Sequence, residues 1–153
     1  LYKETELVSE IEFLDLSNEM PKKLIEGNDL TIVGSSYSTK VARNAIELFK
    51  KNNFEKSIEL IDMRVINPLN TSLIIKSVEK TKRLMVLDGG WANCGLASSI
   101  ISSVCEKINP KLMEMRPINI SLESAPAPSS SILEKIYYKD EYEILKIIKK
   151  QIQ

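Results

Sequence analysis

The stretch Asp88-Gly89-Gly90-Trp91 carries the residue types that come nearest to a site for chemistry. A carboxylate and two glycines follow an apolar run that suits a buried strand, and a helical pattern begins soon afterwards. The first amides of a helix attract anions, and glycines let a ligand approach the backbone. A phosphate-binding loop at the end of a strand is therefore the chemistry to weigh here.

The residues around these glycines do not fit a phosphate loop. A Walker loop has a lysine and a hydroxyl residue after its last glycine, whereas Leu96 follows Gly95 here. The glycines also lack the spacing of a dinucleotide fingerprint, and Asp88 would repel a phosphate docked on the helix amides. The stretch therefore predicts a hinge between a strand and a helix, with glycines that permit a tight backbone path.

Trp91 is the only tryptophan of the chain and lies on this predicted hinge. It either caps the hydrophobic core or contacts a partner, since tryptophan is enriched at the centres of interfaces. The sequence leaves both interpretations open.

Histidine is absent from the chain, which removes the commonest general base and the commonest metal ligand. No cluster of cysteine and carboxylate has the spacing of metal ligands. We therefore predict no catalytic, cofactor-binding or metal-binding residue in this sequence.

The length and the charge balance of the chain limit the remaining functional classes. The chain has 153 residues, which suits one domain, and its 21 basic residues balance 21 acidic residues. This balance argues against a nucleic-acid or membrane surface, and no bilayer span or signal peptide is visible. The first residue is leucine, so we expect a piece of a longer polypeptide.

The two cysteines, Cys94 and Cys105, are expected on one helix, separated by roughly 16 Å at 1.5 Å rise per residue. A disulfide between them is excluded at that distance, and unpaired thiols suggest a reducing compartment.

The elements that must position these residues alternate between strand and helix. Apolar and β-branched runs predict strands at about residues 23–26, 30–33, 57–64, 83–88 and 111–120. Helical patterns follow a Ser38-Thr39 cap up to Asn52-Asn53, and then cover 70–82, 94–109, 131–137 and 140–153. Such alternation implies a mostly parallel sheet covered by helices on both faces, a three-layer α/β/α sandwich.

The carboxyl-terminal helix carries a wide apolar stripe that we expect to pack on the sheet; it comprises Ile144, Leu145, Ile147, Ile148 and Ile152. Three tyrosines before and within it, Tyr137, Tyr138 and Tyr142, form either an interface patch or the edge of the core. We favour the core.

Several segments in order resemble the carboxyl-terminal domain of the thiamine-diphosphate-dependent transketolase superfamily. The likeness is greatest to the beta subunit of the decarboxylating component of 2-oxo acid dehydrogenases, such as pyruvate dehydrogenase. The matching residues are Gly27-Asn28-Asp29, Asp62, Arg64, Pro68, Leu69, Asn70, Asp88 to Trp91, Pro126, Pro128, Leu133 and Glu134. The family usually has glutamate where Asp88 stands, aspartate near Ser124 and tyrosine near Ser129.

The resemblance implies a five-stranded sheet whose short first strand, near Lys23 to Glu26, is antiparallel to the rest. It also implies an interdomain linker and edge strand over residues 1–26 and the domain itself over residues 27–153. Candidate interface residues are Asp62, Arg64, Asp88, Trp91 and Glu134. For Asp62 and Arg64 two interpretations stay open, an interdomain or intersubunit ion pair and a solvated pair that contributes little.

The resemblance implies that the full protein decarboxylates a 2-oxo acid, using thiamine diphosphate and magnesium, and transfers the acyl unit to lipoate. This piece would bind no cofactor and would be inactive alone. It would support a homodimer and contacts with an alpha subunit and the dihydrolipoyl acyltransferase core. The expected location is the cytoplasm, or the mitochondrial matrix or plastid in a eukaryote.

Two alternatives remain open from the sequence. One is the carboxyl-terminal domain of a transketolase or deoxyxylulose-phosphate synthase, against which the lack of histidine argues. The other is a stand-alone flavodoxin-like binding module, for which the segment Gly34–Lys40 offers only hydroxyl groups.

Overall fold

The computed structural model describes residues 15–51 and 55–152. Its strands are β1 (Lys22–Ile25), β2 (Leu30–Gly34), β3 (Ile58–Asp62), β4 (Leu84–Trp91) and β5 (Ile118–Leu122). Its α-helices are α1 (Tyr37–Lys51), α2 (Ser72–Thr81), α3 (Leu96–Lys107), α4 (Ser131–Tyr137) and α5 (Glu141–Ile152). Short 3-10 helices cover Leu16–Asn18 and Pro110–Leu112.

The sheet has five strands in the order β1-β3-β2-β4-β5. β1 pairs with β3 in the antiparallel sense, and the other neighbours are parallel. This confirms the predicted mixed sheet and the antiparallel position of the short first strand. The carboxyl ends of β2, β3, β4 and β5 consequently lie along one edge, which we call the carboxyl edge.

Helices cover both faces of the sheet, because the buried strands send apolar side chains to two separate clusters. Leu30 and Ile32 of β2 join one cluster with α1 and α5, and Val33 joins the other with α2 and α3. All of β2 is buried, as its continuous apolar run predicted. The three-layer sandwich is therefore confirmed.

The apolar stripe of α5 packs as predicted. Ile144, Ile148 and Ile152 are buried in the cluster that also contains α1, and Leu145 and Ile147 pack partly against it. The stripe thus covers the face of the sheet that α1 leaves open.

The glycines after Asp88 do not form the predicted hinge. β4 continues through them to Trp91, which pairs with Leu122 beyond an irregularity in the register. No described glycine has a positive φ. The turn lies instead at residues 92–95, where Cys94 has a φ of 56°. Pairing with β5 prolongs the strand because it supplies partners for the backbone.

The prediction that both cysteines lie on one helix is wrong, because α3 begins at Leu96 and Cys94 lies in the preceding turn. Both cysteines are free, as expected, and both are exposed.

Two other element boundaries differ from the prediction. β5 begins only at Ile118, because Pro117 lacks a backbone donor and residues 110–112 form a 3-10 helix. At α1, Tyr37 opens the helix, and the Thr39 hydroxyl donates to Asp62 instead of capping. The predicted end of α1 at Asn52-Asn53 lies outside the described residues.

The segment before the sheet is described from Asp15 onward. The division into a linker over 1–26 and a domain over 27–153 stays a prediction, and residues 1–14 lie outside the described part. In the described part of the chain, no helix is long and apolar enough to cross a membrane.

Candidate interaction surface at the carboxyl edge

Asp88 closes the start of α3 with its own carboxylate. Oδ2 accepts a hydrogen bond from the Ala97 amide at 3.0 Å, and Oδ1 accepts one from the Gly90 amide at 2.9 Å. Gly95 holds the N-cap position and has no side chain to cap the helix, so Asp88 supplies the cap from the strand. A negative charge at this point is favoured by the helix dipole. The Ala97 amide, which a phosphate docked at this helix start would need, already donates to this carboxylate.

Gly95 is required by close contacts around this cap. A Cβ at position 95 would lie 2.2 Å from the Trp91 carbonyl oxygen and 2.9 Å from Asp88 Oδ2. Only glycine fits there without moving the backbone. The turn at residues 92–95 is therefore held compactly between the end of β4 and the start of α3.

Trp91 is anchored at its polar edge and half exposed elsewhere. Its Nε1 donates to the Ala125 carbonyl oxygen at 3.2 Å and to the Tyr137 hydroxyl at 3.1 Å. Tyr137 in turn donates to the same carbonyl at 2.7 Å. The indole remains 52% exposed. It thus ties β4 to the proline-rich loop before α4 and presents an open ring surface.

α4 exposes its apolar side chains. Ile132, Leu133 and Ile136 are 73%, 52% and 75% exposed, and no residue of α4 is buried. These residues stand at i, i+1 and i+4, so they share one side of the helix. Glu134, a predicted interface residue, lies on the same helix and is exposed. Sequence reasoning selected Leu133 and Glu134 but missed the isoleucines, which have the pattern of core residues.

The three tyrosines lie at the edge of the core, and two of them are more exposed than buried core residues. Tyr138 is 43% exposed and Tyr142 is 58% exposed, whereas Tyr137 is half-buried. Tyr137 and Tyr138 meet edge to face, with ring centroids 5.1 Å apart. The isoleucines of α5 already fill the sheet face, so the tyrosine rings remain at its margin.

Asp62 and Arg64 lie at the end of β3, and each has a different partner within the chain. Arg64 Nε contacts Glu19 Oε2 at 2.7 Å, and Asp62 Oδ1 accepts from the Thr39 hydroxyl at 2.9 Å. Arg64 has a φ of 56°, which turns the chain sharply after the strand. Arg64 thereby fastens the segment that precedes β1 to the carboxyl edge. A role in contacts between domains or subunits stays a prediction.

The start of α1 lies between Asp62 at the end of β3 and Asp88 on β4. Thr39 contacts Asp62, and Tyr37 and Ser38 line a small cavity of about 60 Å³ together with Asp88 and Tyr138. Four of the predicted interface residues, Asp62, Arg64, Asp88 and Trp91, therefore lie along one edge of the sheet. Glu134 is on α4, the helix whose Tyr137 hydroxyl accepts from Trp91.

This edge offers little for metal or cofactor chemistry. Within residues 15–51 and 55–152, no three histidine, cysteine, aspartate or glutamate side chains cluster to hold a metal ion. The carboxylates of Asp62 and Asp88 each face the start of a helix. They occupy the positions where a diphosphate would need positive charge.

Comparison with known proteins gives the family. The profile of the family described as "Transketolase, C-terminal domain" matches residues 22–143. The pyruvate dehydrogenase E1 component subunit beta of Rickettsia felis is 37% identical over 130 residues, which cover 84% of this chain and 39% of that protein. The corresponding subunit of Rickettsia bellii is 35% identical over the same share. The beta subunit of the Bacillus subtilis acetoin:2,6-dichlorophenolindophenol oxidoreductase is 30% identical, over 73% of this chain and 32% of that protein.

Solved structures agree on the fold. A split-gene transketolase, described as an inactive beta4 tetramer, superimposes with a TM-score of 0.72 at 19% identity. The match covers 86% of this chain and 42% of the transketolase chain. The chain spans about 39% of the length of the Rickettsia beta subunits. The sequence matches to beta subunits favour the beta-subunit interpretation over the sugar-phosphate enzymes and the flavodoxin-like module, and the solved structure shows the fold alone. The chain belongs to the transketolase carboxyl-terminal domain family.

Proposed function

We propose that this chain is the carboxyl-terminal assembly domain of a beta subunit in a pyruvate dehydrogenase-type decarboxylating component. The observation that carries this proposal is the exposed apolar side of α4 next to the half-exposed Trp91. Exposed apolar patches of this kind mark protein contacts. The proposed enzyme class comes from the relatives, which are beta subunits of such enzymes.

The full protein would decarboxylate a 2-oxo acid and transfer the acyl unit to lipoate. Thiamine diphosphate and magnesium would supply the chemistry of decarboxylation. The residues described here do not fit that cofactor, because the Asp88 carboxylate accepts from the Ala97 amide at the start of α3 and no metal cluster is present among them. We therefore assign the cofactor site to parts of the protein outside this domain.

The proposed partners are a second copy of the beta subunit, an alpha subunit and the acyltransferase core of the complex. We assign the α4 surface to the second copy. The split-gene transketolase of similar fold is described as a tetramer of beta chains, which supports self-association in this fold. The beta subunits of Ascaris suum and Saccharomyces cerevisiae are named as mitochondrial proteins. For this chain we propose the cytoplasm, or the matrix or plastid in a eukaryote.

Titration calorimetry tests the proposal directly. Thiamine diphosphate is titrated with Mg²⁺ into this chain, and consumption of pyruvate is followed in parallel. We expect no measurable heat of binding and no turnover, since the domain lacks a diphosphate site. Tight, stoichiometric binding of the cofactor to this chain alone would contradict the assignment. The same measurement on the complete enzyme is the positive control.

A further inference from the structure

A cavity of about 380 Å³ opens between the last turns of α3 and the segment that leads into β5. It lies at the amino end of β5, on the side of the sheet opposite the carboxyl edge. Its size falls in the range of cavities that bind small ligands, roughly 300–1,000 Å³. The proposed assembly surface does not account for it.

The floor of this cavity is apolar. Val104 and Ile108 of the α3 region are buried members of the core cluster, and Met113 packs against the same cluster. Methionine adapts its shape to an irregular ligand. A branched or straight hydrocarbon chain can therefore contact the floor without leaving polar groups unpaired.

The charged side chains at the mouth of the cavity differ in whether they have an ion-pair partner. Glu114 is neutralised by Arg83 Nη2 at 2.6 Å and lies 3.7 Å from Lys82 Nζ. Arg116 also lines the mouth, and within the described part of the chain it has no hydrogen bond or ion pair. A guanidinium pairs with a carboxylate through two parallel hydrogen bonds. The mouth thus offers one cation that is available to an anionic group.

We propose that this cavity binds a small apolar monocarboxylate. Its hydrocarbon chain lies on Val104, Ile108 and Met113, and its carboxylate pairs with Arg116. The inference goes beyond the assembly function and does not depend on it.

Cys105 provides a reporter, because this exposed thiol lines the cavity. The probe is 4-methylpentanoate, and the readout is the rate of N-ethylmaleimide alkylation resolved for each cysteine by peptide mass spectrometry. A ligand of this size binds with a dissociation constant on the order of 1 mM. At about 10 mM probe we expect alkylation of Cys105 to slow at least about fivefold. Cys94, exposed in the turn before α3, is the internal control and keeps its rate.

Two variants test whether protection of Cys105 requires pairing between the ligand carboxylate and Arg116. Arg116→Gln removes the cation and is expected to abolish the protection of Cys105. Lys111→Gln removes a neighbouring exposed charge that does not line the cavity, and it leaves the protection intact. The alcohol 4-methylpentan-1-ol should protect several times more weakly than the acid.

Three results would overturn the inference. The first is an alkylation rate of Cys105 that the probe does not change. The second is equal protection by the alcohol or in Arg116→Gln, since the cavity would then not select a carboxylate. The third is equal slowing of Cys94. None of these results bears on cofactor binding or assembly, so the proposed function is tested separately.

Discussion

At the residue scale, Asp88 links the sheet to a helix through a single carboxylate. Its two amide partners lie on either side of the turn, at Gly90 and Ala97. From the sequence, Asp88 was predicted to repel phosphate and was named as a candidate interface residue. Its capping role was not predictable because the cap lies on a strand, seven residues before the N-cap position Gly95, and not within the helix pattern.

We predict that Asp88→Ala lowers the free energy of unfolding by about 1–3 kcal/mol, because two charge-assisted hydrogen bonds are lost. Asp88→Asn keeps an acceptor for one amide and should cost about half as much. Urea denaturation followed by circular dichroism measures both. Equal stability of Asp88→Ala and the unaltered protein would show that the cap contributes nothing.

Glu59 is the buried carboxylate of β3, and it ties three elements together. Its Oε2 contacts Lys80 of α2 at 2.5 Å and Lys23 of β1 at 3.4 Å, and it accepts from the Gly27 amide. Burial is the largest single influence on the pKa of Glu59 and raises it. The hydrogen bond from Lys80, with that from the Gly27 amide and other contacts, outweighs burial and lowers the pKa below 4.5.

Because the pKa of Glu59 is lower in the folded chain than in the unfolded chain, its stabilisation is complete above the ordinary value of 4.5. It is lost as the pH falls through the lower folded value. We expect Glu59→Gln to cost about 1–3 kcal/mol at pH 7 and progressively less as the pH falls below that ordinary value. Denaturation curves of both proteins between pH 7 and 3 measure the difference. A difference that does not change with pH would refute the assignment.

At the element scale, the helices and strands with a clear hydrophobic pattern were predictable from the sequence. Features that depend on contacts distant in the sequence were not. The stripe of α5 and the apolar run of β2 gave the correct elements because their local pattern and their burial coincide. The extension of β4 to Trp91 depends on pairing with Leu122, which local sequence does not encode. The apolar residues of α4 have the pattern of core positions, although the structure leaves them exposed.

Trp91 and Tyr137 together hold the loop that leads into α4. We predict that Trp91→Phe keeps most of the ring contact but loses the indole donor to the Ala125 carbonyl oxygen. Hydrogen exchange in residues 123–130 should accelerate by about fivefold to tenfold, as expected for the loss of one hydrogen bond of about 1 kcal/mol. Exchange in β2 is the control and should not change. Unchanged exchange in the loop would show that Trp91 does not hold it.

At the scale of the whole molecule, α4 presents an apolar surface outside the core. Ile132 and Ile136 are both about three-quarters exposed, so replacing them leaves the stability of the domain within about 0.5 kcal/mol. We predict that the double substitution Ile132→Asp and Ile136→Asp weakens self-association of the complete beta subunit at least about tenfold, because it buries two charges in the contact.

Sedimentation velocity over a range of concentrations measures this association, and thermal unfolding verifies that the fold is retained. Lys146→Asp, at an exposed position of α5, is the matched control and should leave the association unchanged. An undiminished association of the double variant would place the subunit contact elsewhere on the lobe.

The position of β1 has a consequence for the order in which the domain assembles. β1 precedes β2 in the chain but lies beside β3, so its neighbour among the described strands is synthesised after α1. β1 cannot acquire protection until that later strand is in place, and closing the intervening loop costs entropy. Pulsed hydrogen exchange during refolding should therefore show late protection in β1 and early protection in β2 and β4. Among the described strands, β1 should therefore be the last to gain its place in the sheet.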